Sequence, residues 1–374
     1  MDQKSINVIK SLAIDMVQTA GSGHLGIALG AAPIMYTLFA KNINVYPPVY
    51  NWINRDRFIM SAGHGSALLY STMFLSGYPL TIEDLKSYRR LNSKTPGHPE
   101  ISTMGVDVST GPLGEGFATA VGIALSEKIY ENKFNLKKKN IFDNKTKNLV
   151  DYYTYVLVSD GDLMEGISYE AASLAGTWKL EKLIVLYDSN KVTLDGSTDN
   201  VFDEDVLGRF SSMGWHTQHV KNGKSVKDID KAIKKAKSEK SRPSIIKIDT
   251  VIGEGSLRAM PNLNVYRPGD IKEIIGTWNC ILNDKKPAVI SLARTEVKAE
   301  QGTSIMGVSK GAYVAGKEEE RVDAVLIATG AELQLAKSIK EIIRKDNIDL
   351  RVVSMPCMEK YDEQSQGYKD EFFP

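Results

Sequence analysis

Apolar residues return at helical spacing almost at once: Ile6, Ile9, Leu12, Ala13 and Met16 in INVIKSLAIDMVQTA share one face, which predicts an amphipathic helix. The glycine-rich GSGHLGIALG predicts a loop that gives way to a second helix through PIMYTLFAKNI. TIEDLKSYRRL predicts a third, with Thr81 as N-cap and acids in the first turn. Residues 1–130 therefore read as helical and punctuated by glycine.

Near residue 150 the pattern changes. YYTYVLVSD and EKLIVLYDSN are aromatic, β-branched and apolar, the composition of strands buried on both faces. ISYEAASLAGTWKL between them reads as a helix, so the segment is a βαβ unit with two parallel neighbouring strands. VKDIDKAIKKAKSEK and PSIIKIDTVIG predict a further helix and strand. LRAMPNLNVYRPGDIKEIIGTWNCILNDKKPAVISLAR predicts strand, proline-started helix, strand. RVDAVLIATGAELQLAKSIKEIIRKDNIDLRVVSMP predicts another βαβ unit. EVKAEQGTSIMGVSKGAYVAGKEEE, between these two, is the best linker candidate. The lysine-rich KKKNIFDNKTKN reads as a solvated loop rather than a phosphate patch.

Composition narrows the class. A chain of 374 residues, 42% hydrophobic and 25% charged, has room for two or three domains of ordinary globular type. A net charge of +1 leaves no electrostatic footprint for nucleic acid or a membrane surface. No apolar run approaches the ~20 residues of a membrane helix, and MDQKSINVIK lacks the pattern of a signal peptide. Cys280 and Cys357 have no metal-ligand or redox spacing. The expectation is a cytoplasmic protein without nucleic-acid or membrane partners.

The chemistry gathers at strand ends. Asp160 and Asn190 each stand just past a predicted parallel strand, where ligands of open α/β sheets bind. A carboxylate, a side-chain amide oxygen and a nearby backbone carbonyl would suit Mg²⁺ that also holds a diphosphate. The same two residues serve equally well as a turn residue and a cap.

Asp160-Gly161, followed at thirty residues by the Asn of DSN, resembles the GDG…N signature of thiamine diphosphate enzymes, with Ser159 in place of the first glycine. SGHLG, SAGHGS, SKTPGHPE and STGPLGEG, in that order, resemble transketolases, as do SDGDLMEGISYEAASLAGTWKL, DSNKVTLDG and VIGEGS. The likeness runs from residue 5 to about 256. Leu25 stands where transketolases usually have proline. By this resemblance Asp160, Asn190 and the carbonyl of Val192 are metal ligands for Mg²⁺ (or Ca²⁺). His64, the loop residues Gly111, Pro112, Leu113 and Gly114, and then Gly161 and Glu165 contact thiamine diphosphate or shape its pocket. His24, His64 and His98 are the catalytic histidines, and His24 and His98 bind the sugar. His216 and His219 are read as structural.

From Gly255-Ser256 the chain passes directly to LRAMPNLNVYRPGD, which resembles the last part of the next transketolase domain. The resemblance then implies an α/β protein in three parts. Residues 1–256 form a parallel-sheet diphosphate-binding domain, 257–301 a remnant of the pyrimidine-binding domain, and 302–374 a partial C-terminal domain. The glutamate that contacts the cofactor's pyrimidine falls in the missing stretch, together with its stacking aromatic. Arg294 matches an arginine that grips the sugar phosphate. The implied activity is transfer of a two-carbon ketol unit from a ketose phosphate or small ketose to an aldose or aldehyde, at reduced rate. The alternatives are a non-catalytic cofactor-binding protein, or one half of a split transketolase completed by another chain. The implied assembly is a homodimer or a pairing with that chain.

Overall fold

The computed structural model describes residues 2–135, 148–193, 196–198, 201–253, 262–293 and 297–372. KKKNIFDNKTKN lies almost wholly outside them, as does Arg294. The chain forms two compact units, Met1–Gly253 and Glu254–Pro374.

The first unit is built on five parallel strands in the order β1-β2-β3-β7-β6. These are β1 (Arg57–Met60), β2 (Thr154–Ser159), β3 (Leu183–Ser189), β6 (His216–Val220) and β7 (Ser244–Asp249). The short β4 (Val192–Thr193) and β5 (Gly196–Ser197) pair antiparallel beside them. The predicted βαβ unit is present, with Thr154 in register with Leu183. Alternate residues of one strand serve opposite faces. Tyr155 and Leu157 pack with Ile6, Ile9, Met16 and Leu68, whereas Val156 and Val158 pack with Phe117, Phe210 and Trp215. Helices on both faces explain why β2 and β3 are apolar without alternation.

Three elements differ from expectation. β1 falls inside a stretch read as helical. Four residues are too few to show a period, and a bidentate Arg55–Asp107 pair fixes the chain just before it. β6 is an edge strand with the polar sequence HTQHV, so it carries no apolar signal. The predicted helix from Thr81 covers only Ile82–Lys86, although Thr81 does cap it with a capping box.

The second unit pairs β8 (Asn264–Tyr266) parallel with β9 (Ala288–Ile290), joined by the helix Ile271–Asn283. A three-stranded sheet follows in the order β10-β12-β11, from β10 (Tyr313–Gly316), β11 (Ala324–Ala328) and β12 (Leu350–Ser354). β11 and β12 are parallel, as the second βαβ reading required. The segment read as a linker is instead part of this core: β10 pairs antiparallel with β12, and Thr303, Val308 and Ala312 are buried. The helix begins after Asp270, whose carboxylate caps it at Glu273 N–H, rather than on Pro268. Asp270 also accepts from Glu300 N–H and Thr303, and buried Glu273 accepts from Tyr313, Ser354 and Gly269 N–H. These bonds tie residues on either side of 301 into one unit. The outward face of the helix carries Ile271, Ile275, Trp278 and Leu282, between 45% and 78% exposed, while small and polar Gly276 and Thr277 face inward.

Candidate functional site

β1, β2 and β3 end side by side, and His64, Asp160, Gly161, Glu165, Asn190 and Val192 follow their carboxyl ends. Asp160 follows β2 directly. Its buried carboxylate accepts from the Tyr187 hydroxyl, and Oδ2 accepts from the backbone N–H groups of Asn190 and Lys191, both at 3.0 Å. Asn190 follows β3. Its amide nitrogen donates to Asp188 at 3.0 Å, and its Oδ1 accepts from Val192 N–H at 3.0 Å. Lys191, at φ 60°, makes the tight turn that folds Asn190 back on Asp160.

Asp160, Asn190 and Val192 are thus brought together. Burial raises the pKa of Asp160, against hydrogen bonds that favour the ionised form. Burial also pushes Asp188 up to about 6, with Asp160 adding to the rise. Neither carboxylate has an ion-pair partner among the described residues. The Asp160 carboxylate, buried with only Lys247 adding a favourable charge at longer range, lies beside the Asn190 amide oxygen, a hard-oxygen set that fits a divalent cation. Both oxygens of the neighbouring Asp188 are taken by Asn190 and Thr250. Glu127, Glu131 and Asp151 also cluster, but the Lys182 ammonium already sits 2.7, 3.2 and 2.7 Å from them.

Asp162, which sequence reasoning missed, joins the pieces. Its Oδ1 accepts from Ser61 hydroxyl at 2.6 Å and Gly114 N–H at 3.0 Å, and its Oδ2 accepts from Ser159 N–H and hydroxyl at 2.8 Å. Ser61 in turn accepts from Phe117 N–H. One buried carboxylate therefore fixes the ends of β1 and β2 and the start of the helix Glu115–Phe134. The serine at 159 causes no strain: its φ is −110°, in extended backbone, and its hydroxyl is engaged.

Gly114, at φ 83°, cannot be replaced cheaply. A Cβ there would lie 2.8, 2.9 and 3.0 Å from Ile167, Glu165 and Ser168. Gly114→Ala is expected to cost about 1–3 kcal/mol, read as a lower thermal unfolding midpoint. An unchanged midpoint would show that the loop adapts. Leu113 lies 3.0 Å from where a Gly161 Cβ would be, and the His98 ring lies 3.8 Å from that of Gly111. The loop through Pro112 therefore bridges His98 and the Asp160-Gly161 turn. Glu165, exposed, stands beside Gly114 between two helices.

His64 sits in the tight turn Gly63–Gly65 after β1, and its ring centroid is 5.4 Å from that of exposed His24. Tyr70 hydroxyl and Ser66 hydroxyl, on the helix Ser66–Leu75, donate to the carbonyls of His98 and Gly97. Burial lowers the pKa of His64, Asp162 opposes this, and His24 and His98 lower it further. Burial and then Arg89 lower that of His98. Both rings are neutral at pH 7, so each offers one donor and one acceptor. His216 and His219 lie on β6, bonded to Ser244 and Asp249 of β7.

The fold class is a parallel α/β domain with its polar residues collected at the carboxyl edge of the sheet. The chain belongs to the transketolase family. Residues 1–266 match the family model described as transketolase, thiamine diphosphate binding domain, and residues 311–374 match the transketolase-like C-terminal domain. It is similar to the transketolase of Bacillus subtilis, 50% identical over 257 residues, which is 68% of this chain and 37% of that protein. A transketolase of Staphylococcus epidermidis is 54% identical over 256 residues, with the same shares. That of Aquifex aeolicus is 50% identical over 277 residues, 74% of this chain and 39% of that protein. The match thus spans less than two fifths of these relatives' length. Among solved structures, the transketolase from Leishmania mexicana aligns with a TM-score of 0.64 at 26% identity, covering 100% of this chain and 89% of that one. Among the described residues no helix is long and apolar enough to cross a membrane.

Proposed function

We propose that this chain binds thiamine diphosphate with Mg²⁺ (or Ca²⁺) and transfers a two-carbon ketol unit from a ketose or ketose phosphate to an aldose or small aldehyde, in the cytoplasm. The observation that carries the reading is the strand-end cluster of Asp160, Asn190 and Val192 next to the Gly111–Gly114 loop and the histidines. In this reading Asp160, the Asn190 amide oxygen and the Val192 carbonyl hold the cation. Gly114, Gly161 and His64 face the diphosphate side, and Glu165 shapes the pocket wall. When bound, the cofactor's thiazolium supplies the electron sink for breaking and making the C–C bond. His24 and His98 orient the sugar hydroxyls, and a neutral imidazole at His64 or His98 can accept a proton and give it back, burial disfavouring the cation in between and so favouring the return. Arg294 is assigned to the sugar phosphate.

Residues 1–256 are the diphosphate-binding domain in this proposal, and 257–301 and 302–374 are parts of the pyrimidine-binding and C-terminal domains. Without the rest of the pyrimidine domain, cofactor affinity rests mainly on the diphosphate. Inorganic diphosphate with Mg²⁺ is therefore expected to displace thiamine diphosphate almost as well as the whole cofactor competes with itself. Much tighter binding of the whole cofactor would reveal a pyrimidine pocket and contradict this reading. The activity itself is tested by supplying purified protein with a ketose donor and an aldehyde acceptor, with and without thiamine diphosphate. Cofactor-dependent product supports transfer, and no product at saturating cofactor refutes it.

One observation favours a second reading, in which another chain completes the enzyme. Ile271, Ile275, Trp278 and Leu282 of the helix Ile271–Asn283 face outward, a larger apolar stripe than a finished surface helix leaves open. A pyrimidine domain produced separately from a relative is expected in that case to raise the rate when added, and an unchanged rate would reject the idea.

A further inference from the structure

We propose that Asp188 is a positioning residue that turns the Asn190 side chain so that its amide oxygen, and not its nitrogen, is presented to the cation. This rests on the reading above that Asn190 is a metal ligand.

An asparagine amide has nearly the same shape in both orientations, so sterics alone do not select one; its hydrogen-bond partners do. Asp188, the penultimate residue of β3, is fully buried. One of its oxygens accepts from the Asn190 Nδ2 at 3.0 Å and the other from the Thr250 hydroxyl. An ionised carboxylate has no hydrogen to donate, so only the NH₂ edge of the amide can face it. Oδ1 is left on the other side, where it accepts from the N–H of Val192, whose carbonyl is the third proposed ligand.

The frame is rigid. Thr250 follows β7, and its own N–H donates to the Ser189 carbonyl at 3.1 Å, so Asp188 is held between two adjacent strands. A buried carboxylate is costly when its partners are neutral, as the Thr250 hydroxyl and the Asn190 amide are. Orientation of a ligand is a role that calls for an acceptor-only group at this spot. Such partners of ligand side chains commonly set metal affinity over ~10–100-fold.

The test is calorimetric titration of thiamine diphosphate into the full chain at fixed Mn²⁺, for Asp188→Ala and Asp188→Asn, each alone and on an Asn190→Ala background. Unfolding midpoints in EDTA check the fold. Asp188→Ala is expected to weaken binding ~10–100-fold. Asp188→Asn keeps the shape but lets the amide sit either way round, and is expected to lose about 10-fold. On the Asn190→Ala background neither change is expected to weaken binding further. Unchanged affinity in a folded Asp188→Asn protein would overturn the proposal. So would equal losses on both backgrounds, which would mean Asp188 acts by its charge or through the fold. Asp160→Ala is the control: if it binds like the unaltered protein, the metal-ligand reading itself has failed.

Discussion

Replacing Asp160 by alanine is expected to weaken binding of thiamine diphosphate with Mg²⁺ by at least about 100-fold, more than the loss of any group that merely orients a ligand. The carboxylate has two duties. It supplies the charged oxygen of the proposed cation site, and it holds the N–H groups of Asn190 and Lys191 at 3.0 Å, which positions Asn190, the second proposed ligand. Removing it leaves those two donors without their acceptor, at about 1–3 kcal/mol of stability. Asp160→Asn separates the duties: the amide oxygen still accepts from the turn, so the fold is kept while the charge is lost. Calorimetry is expected to rank the unaltered protein above Asp160→Asn, and Asp160→Ala last. Equal affinity in all three would remove Asp160 from the site.

Ketol transfer by this chain is expected to run ~10²–10⁴-fold below that of an intact relative, if one positioned acid/base group is the main loss. On the proposed domain reading, loss of orientation and water exclusion with the rest of the pyrimidine domain is expected to lower the rate further. The parts that remain are the three histidines and the strand-end cluster. His98 is held through its carbonyl by Tyr70 and stands beside Gly111. His98→Ala is therefore expected to reduce whatever rate is left, measured as product formed per enzyme at saturating cofactor. A rate untouched by this change would mean that the turnover arises elsewhere.

The site's two most informative residues were legible because each ends a long apolar strand. YYTYVLVSD and EKLIVLYDSN have room to show burial on both faces, and the short polar tail that ends each run, Ser159-Asp160 and Asp188-Ser189-Asn190, carries the two residues. The histidines were legible only through their glycine- and proline-rich settings, since nothing in the periodicity of a loop marks a ring at position 24, 64 or 98. Asp162 was not legible. It is one of three acids in SDGDLME, and its importance comes from bonds to Ser61 and Gly114, which lie 101 and 48 residues away. β6 was missed because a polar edge strand has no alternation to show. β10 reads as a linker in the sequence because its four residues, two of them small, become a strand only by pairing with β12. The outward apolar face of the helix Ile271–Asn283 was equally hidden: the spacing shows a stripe but not which way it points.

In the proposed function a cation-dependent diphosphate site is assembled by Asp160, Asn190 and Val192. The most direct test is calorimetric titration of thiamine diphosphate into the purified chain with saturating Mg²⁺, repeated in EDTA. The account predicts saturable binding at one site per chain with Mg²⁺ and no measurable binding without it. Binding that is unaffected by EDTA, or no binding in either condition, would contradict it.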